Sequence, residues 1–158
     1  MNKLSCERLS GLSNEAQLSP RQRMNHNFHA KLSDPIQRLA IAMEPDTYIR
    51  PHRHRQSWEL LTSLRDRFVV LNFDDTGAVI DRSVLGEDIS VIETATGCWH
   101  AVLSLDTGGV IFEVKQGPYA PFREDDFAPW SPPADADNSH ALMDWYREAE
   151  IGQRWPGK

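Results

Sequence analysis

From residue 46 onward, apolar and polar positions alternate in short runs. Tyr48–His54, Trp58–Leu64, Phe68–Phe73, Ala78–Val84, Ile89–Glu93, Cys98–Leu105 and Val110–Lys115 each read as a strand. Turn residues separate several of them: Asp74-Asp75-Thr76-Gly77, Gly86-Glu87-Asp88 and Asp106-Thr107-Gly108-Gly109. Many short strands at regular spacing predict a sandwich or barrel. Helical spacing returns near the end, where Leu142, Trp145, Tyr146 and Ala149 form an apolar stripe behind a Ser139 cap, predicting a helix over Ser139–Ile151. A short helix capped by Ser13 is expected over Ser13–Leu18. Residues 33–43 fit two patterns. Ser33, Pro35 and the spacing of Ile36, Leu39, Ala40 and Met43 suit an amphipathic helix, yet the run is also short enough for a strand.

The stretch Tyr48–Leu61 carries the chemistry. His52 and His54 lie one residue apart, and Glu59 follows after four more. Gly97-Cys98-Trp99-His100 comes about forty residues later. Side chains two apart on a strand share a face, so His52 and His54 point the same way. A turn through Arg55–Ser57 returns Glu59 beside them, and His100 on a distant strand closes the set. Three imidazoles and one carboxylate suit a divalent transition ion: Fe, Mn, Ni, Co or Zn. The same alternation puts Tyr48 and Arg50 with the paired histidines, Leu61 and Ser63 with Glu59, and Cys98, Val102 and Ser104 with His100. Cys98 is then either a small buried hydrophobe or a thiol next to the ion. Glu113 either orients a ligand histidine or makes an outward ion pair.

His52-x-His54-x4-Glu59 and Gly97-x-x-His100 resemble the two motifs of the cupins. The wider text resembles the WbuC-type cupin fold metalloproteins. The matching pieces are Arg23-x-Asn25-x-Asn27-Phe28-His29, Gln37-Arg38, Tyr48-Ile49-x-Pro51-His52-x-His54, Trp99-His100, Glu113-Val114-x-x-Gly117-Pro118-Tyr119-x-Pro121 and Phe127-Ala128-x-Trp130-x-Pro132. Arg65-Asp66 stand where the first motif usually has glycine. Ala95 and Ser104 stand where the second usually has proline and asparagine. The resemblance implies a mainly β double-stranded β-helix, the cupin jelly roll, with a short N-terminal extension (1–20), a barrel (21–133) and a C-terminal helix and tail (134–158). It implies a strand near Gln37–Met43 and resolves that ambiguity. It also implies that Arg23, Asn25, His29 and Tyr119 approach the pocket, where an arginine fork or an amide suits a small polar or anionic ligand. WbuC-type members often come from O-antigen gene clusters, which points to a sugar-derived substrate. A homodimer is expected by analogy.

Composition narrows the classes. The chain has 158 residues, 40% hydrophobic and 25% charged, as expected of one soluble domain. No apolar run is long enough for a membrane span, and the first residues lack a signal-peptide core. Cys6 and Cys98 make no disulfide framework, so the expected setting is cytoplasmic. The net charge is −6, and no Lys/Arg cluster suits nucleic acid. Residues 1–60 nevertheless hold nine of the 17 Lys/Arg, with Arg50, Arg53 and Arg55 near the histidines, a bias that attracts a small anion. Three functions compete: a metal-dependent enzyme, a non-catalytic metal-stabilised carbohydrate-binding module, and a metal-free epimerase using a His–acid pair.

Overall fold

The computed structural model describes residues 1–157. Within them helix α1 (Cys6–Leu18) precedes eight strands: β1 (Arg23–Asn27), β2 (Ile36–Met43), β3 (Glu59–Arg65), β4 (Phe68–Phe73), β5 (Val79–Leu85), β6 (Val91–Thr94), β7 (Trp99–Ser104) and β8 (Gly109–Gln116). A 3-10 turn (Glu124–Asp126) and helix α2 (Ser139–Glu148) follow. The strands pair antiparallel in two sheets, ordered β1-β2-β8-β3-β6 and β5-β4-β7. This is the double-stranded β-helix that the motifs implied, with a C-terminal helix.

Alternation decides what each sheet buries. Leu39, Ile41 and Met43 of β2, Leu61 of β3, Phe68 and Val70 of β4, Val102 of β7 and Ile111 of β8 meet between the sheets. The opposite faces are covered by the helices. Leu12 and Ala16 of α1 pack on Ala40, Ala42 and Val110. Leu142, Met143, Tyr146 and Ala149 pack on Val69, Leu71, Phe73, Ala101 and Leu103. A strand covered on both faces needs no polar positions, which is why β4 reads almost continuously apolar.

Three expectations are corrected. The first helix starts at Cys6, not at Ser13. Ser5 is its cap, its side chain accepting from the Arg8 N–H, while Ser13 lies mid-helix and donates to the Gly108 carbonyl at 2.7 Å. The C-terminal helix ends at Glu148, and Ser139 is its first residue rather than its cap. Tyr48–His54 is extended but is not a ladder strand. Pro51 has no N–H to give, and the segment is held instead by single bridges from His52 to His100 and to Phe127. At the turn after β3, Asp66 takes φ 63°, the left-handed conformation that glycine usually fills and that Asp tolerates.

Leu12 is fully buried, so Leu12→Ala is expected to lower unfolding free energy by about 2–5 kcal/mol. Urea titration followed by circular dichroism measures it. A change near zero would mean that α1 does not brace the sheet.

Candidate metal centre

Two sequence-distant segments meet through the backbone. The His52 N–H donates to the His100 carbonyl at 3.0 Å, and the His100 N–H returns a bond at 2.9 Å. The Gly97 N–H donates to the His54 carbonyl at 2.8 Å. The side-chain nitrogens of His52, His54 and His100 consequently come within 4.8 Å of one another. Glu59, the first residue of β3, reaches the same place from the other sheet. Its Oε1 lies 3.1 Å from His54 Nε2 and its Oε2 lies 3.1 Å from His100 Nε2.

Two of the imidazoles have a fixed orientation. His52 Nδ1 lies 2.9 Å from the Arg50 carbonyl, and His100 Nδ1 lies 3.0 Å from the Cys98 carbonyl. A carbonyl only accepts, so each Nδ1 carries the proton and donates. In the neutral ring, each Nε2 then keeps a free lone pair. His100 Nε2 is buried and lacks a hydrogen-bond partner, because Glu59 stands close but off the bonding direction. An orphaned buried nitrogen beside two other imidazoles and a carboxylate fits a metal ion.

The electrostatics agree at His52 and Glu59, while at His100 a proton competes with an ion. Burial, together with the nearby His100, holds the His52 imidazole well below its ordinary value, so it stays neutral. Burial would raise the Glu59 carboxyl, but His100 and His54 at its oxygens outweigh burial and hold it well below the usual carboxylate range. Burial would likewise lower His100, yet the Glu59 carboxylate outweighs it and leaves the ring above its ordinary value.

A cavity of ≈ 400 Å³ opens beside His52 and Glu59, its wall including Arg23, Tyr48, Arg50, Glu113 and Lys115. Tyr48 and Arg50 are held in that wall by other contacts, the first donating to the Pro132 carbonyl at 2.8 Å, the second to Ser131 Oγ at 3.0 Å and Glu124 at 3.0 Å. Glu113 faces inward and forms an ion pair with Lys115 at 2.7 Å. Other candidates lie elsewhere. Asn25 is exposed on β1. His29 is pinned by the Arg38 backbone, its Nδ1 accepting from the Arg38 N–H at 3.0 Å. Tyr119 is exposed on a second cavity that also touches His54 and Lys115. Cys98 does not line the main cavity, and its sulfur accepts from Asn72 Nδ2 at 3.2 Å.

Two neighbours of the site had no assigned role. Lys115 approaches Glu59 Oε1 at 3.9 Å. The alternation of β8 carries its signal, since Ile111, Glu113 and Lys115 share a face. Phe122 packs on His52 and His54 with ring centroids 4.7 and 5.2 Å away. Its place follows from the proline-rich segment crossing the barrel mouth, a contact that no local pattern encodes.

Fold and site together define a cupin-type jelly-roll fold with a three-histidine cluster suited to a metal. Over residues 4–85 the chain matches the family described as Domain of unknown function (DUF6016), and it belongs to that family. The match includes His52, His54 and Glu59 and stops before His100. No curated protein matches the chain. Among solved structures it is similar to TT1209 from Thermus thermophilus, at TM-score 0.54 and 14% identity over 73% of this chain and 97% of that one. It is similar to KdgF from Halomonas sp., at TM-score 0.50 and 12% identity over 68% and 86%. It is also similar to the capsular polysaccharide assembling protein CapF from Staphylococcus aureus, at TM-score 0.52 and 14% identity over 70% of this chain and 29% of that longer one. At these identities the likeness is one of fold.

Arg50 ties the segment around Glu124 and Ser131 to the barrel. Arg50→Met is expected to cost about 1–3 kcal/mol and to speed amide exchange across residues 122–131 before the sheets loosen. Hydrogen exchange read by mass spectrometry checks this. Unchanged exchange there would show the segment to be held by other contacts.

Proposed function

We propose that the protein is a metal-dependent cupin enzyme whose ion is held by His52, His54, His100 and Glu59. The carrying observation is the pair of Nδ1–H donations to backbone carbonyls, which leaves Nε2 of His52 and His100 as the ring nitrogens free to bind, in a histidine cluster whose ligand atoms lie within 4.8 Å of one another. Three neutral imidazoles and one carboxylate leave a divalent ion with net positive charge. Such an ion supplies Lewis-acid polarisation or a water of lowered pKa. The protein's own contributions are plainer. The Arg50 and Cys98 carbonyls fix two rings, Lys115 balances Glu59, and Phe122 packs against the His52 ring.

The cavity beside His52 and Glu59 favours an enzyme over a closed, structural ion site, because a ligand there lies next to the metal. The link to surface polysaccharide rests on the WbuC resemblance. CapF, named for capsular polysaccharide assembly, shares the fold with this chain. A sugar-derived substrate is therefore one reading of what the cavity takes.

Purified protein is expected to carry about one divalent transition ion per chain by elemental analysis, as for a preformed site. His52→Ala is expected to lose it while keeping its circular dichroism. Wild-type protein that takes up none of Fe, Mn, Ni, Co or Zn after loading would remove the proposal.

Acid should release the metal. Imidazoles bind only when neutral, so affinity falls as pH drops below about 6.5. His100, raised by Glu59, takes a competing proton first as pH falls, whereas His52 resists it. Metal affinity measured from pH 8 to pH 5 should drop steadily, and a flat curve would contradict histidine ligation.

A further inference from the structure

Four cations line the main cavity: Arg21, Arg23, Arg50 and Lys115. Three have an evident assignment. Arg50 is tied to Glu124 and Ser131, Lys115 is paired with Glu113, and Arg21 is exposed at the rim. Arg23 is different. It is half-buried at the start of β1, and among the described residues no carboxylate comes within ion-pair distance of its guanidinium. Glu113 influences it through space, but Glu113 is already engaged by Lys115. A guanidinium drawn out of water without a counterion is costly. What it lacks is an anion from outside the chain. Its planar fork suits a carboxylate.

Apart from Tyr48, His52, Glu59 and Glu113, the rest of the wall is apolar, and that part describes the body of the ligand. Ile41, Met43, Leu61, Val102 and Ile111 line the cavity and carry no side-chain donor or acceptor, apart from the weak thioether of Met43. Hydroxyls of a sugar laid against this surface would lose water and gain nothing, a loss that polar groups feel strongly. An apolar body gains there instead. At ≈ 400 Å³ the space suits a small molecule. In the sheet order, Arg23 on β1 stands three strands from Glu59 on β3, across β2 and β8. Through Met43, Arg23 aligns with Gly109 of β8, whereas Glu59 aligns with Lys115 toward the other end of that strand. The anion site and the candidate metal centre therefore stand apart along one sheet that lines the cavity, and a ligand held at Arg23 extends toward the other.

We propose that the cavity binds a small organic acid with an apolar body, its carboxylate in the fork of Arg23 and its hydrocarbon part over Ile41, Leu61, Val102 and Ile111. This keeps the metal-dependent reading and names an organic acid, rather than a sugar, as its substrate class. It rests on that reading for the chemistry, while the binding itself needs no ion.

Isothermal titration tests it with phenylacetate, 4-methylvalerate, the neutral phenylacetamide and the polyhydroxylated gluconate. Each is run on metal-loaded protein and on protein stripped with EDTA. The two apolar acids are expected to bind the stripped protein, and phenylacetate to exceed phenylacetamide by about tenfold to a hundredfold. Arg23→Met should erase that ratio, and Arg23→Lys should recover part of it. The acid–amide comparison uses unaltered protein, so it decides even if a variant misfolds. Gluconate binding more tightly than both apolar acids would overturn the proposal, as would neither acid binding below about 1 mM. An unchanged ratio in Arg23→Met would do the same. Acid selectivity in a protein that never takes up metal would remove the metal reading and leave this one. Metal uptake with indifference to the acids would do the reverse.

Discussion

The paired backbone bonds between His52 and His100 are the constraint on which the site depends. Two residues that exchange both hydrogen bonds across an antiparallel bridge carry their side chains on the same side. One such bridge therefore sets both imidazoles together, with ring centroids 4.3 Å apart. It does so although Pro51 prevents a longer ladder. The loss is made good from the opposite side, where the Ala128 N–H donates to the Pro51 carbonyl at 2.8 Å and the Arg53 N–H donates to the Asp126 carbonyl at 2.9 Å. The histidine loop is thus clamped between β7 and the C-terminal segment. Arg53 adds a stack on Trp99, 4.1 Å from the ring. The same backbone that aligns the loop also supplies the carbonyls that fix two of the imidazole tautomers.

Around this clamp the chain buries an unusual amount of charge. Glu59 and Glu113 are nearly inaccessible, and Lys115 sits between them. Burial raises the Glu113 carboxyl, with the Glu59 charge adding to it. Burial would lower Lys115, but the two carboxylates outweigh it and raise it. Buried ion pairs seldom repay their desolvation. An apolar interior of the same shape would hold the sheets at least as well. A row of perturbed groups facing a cavity is instead the pattern of sites kept for chemistry or recognition. The outer faces of both sheets show the contrast, since α1 and α2 cover them with ordinary apolar packing.

Much of this was legible in the sequence, and the physical reason differs by element. β4 is found at its expected bounds because its run is strongly apolar and is closed by Asp74–Gly77, where the Asp74 carboxylate accepts from the Thr76 and Ala78 N–H groups. β2 had to be argued from the barrel, because its helical and extended patterns are equal when both faces are buried. The start of α1 was missed since Ser5, Ser10 and Ser13 all resemble caps, and only tertiary contact shows that Ser13 bonds to Gly108. The metal candidates were readable because period-two spacing survives in an extended loop even without a ladder. Asn25 and His29 were drawn to the pocket by resemblance alone. Asn25 pairs with Ile41 and so shares the face of Arg23, but it is exposed on β1, and His29 lies against the Arg38 backbone.

The C-terminal segment shows how a sequence feature becomes a feature of access. Gly117-Pro118 and Pro121 cannot continue β8 as a ladder strand, so the chain leaves the sheet after Gln116. Gly117 also passes so close to the Asp34 carbonyl that a side chain there would collide with it. The chain must then cross the barrel mouth, where Arg50 holds Glu124 and Arg55 holds Asp126 at 2.6 Å. Those anchors leave Phe122 against His52 and His54, and Phe122 and Lys115 border both the main cavity and the second one. The two spaces are therefore divided by an aromatic ring and a lysine rather than by a sheet. His52 faces the first space and His54 the second, so what passes from one imidazole to the other crosses a boundary made of side chains, and side chains can shift without disturbing the backbone bridge that aligns the ligands.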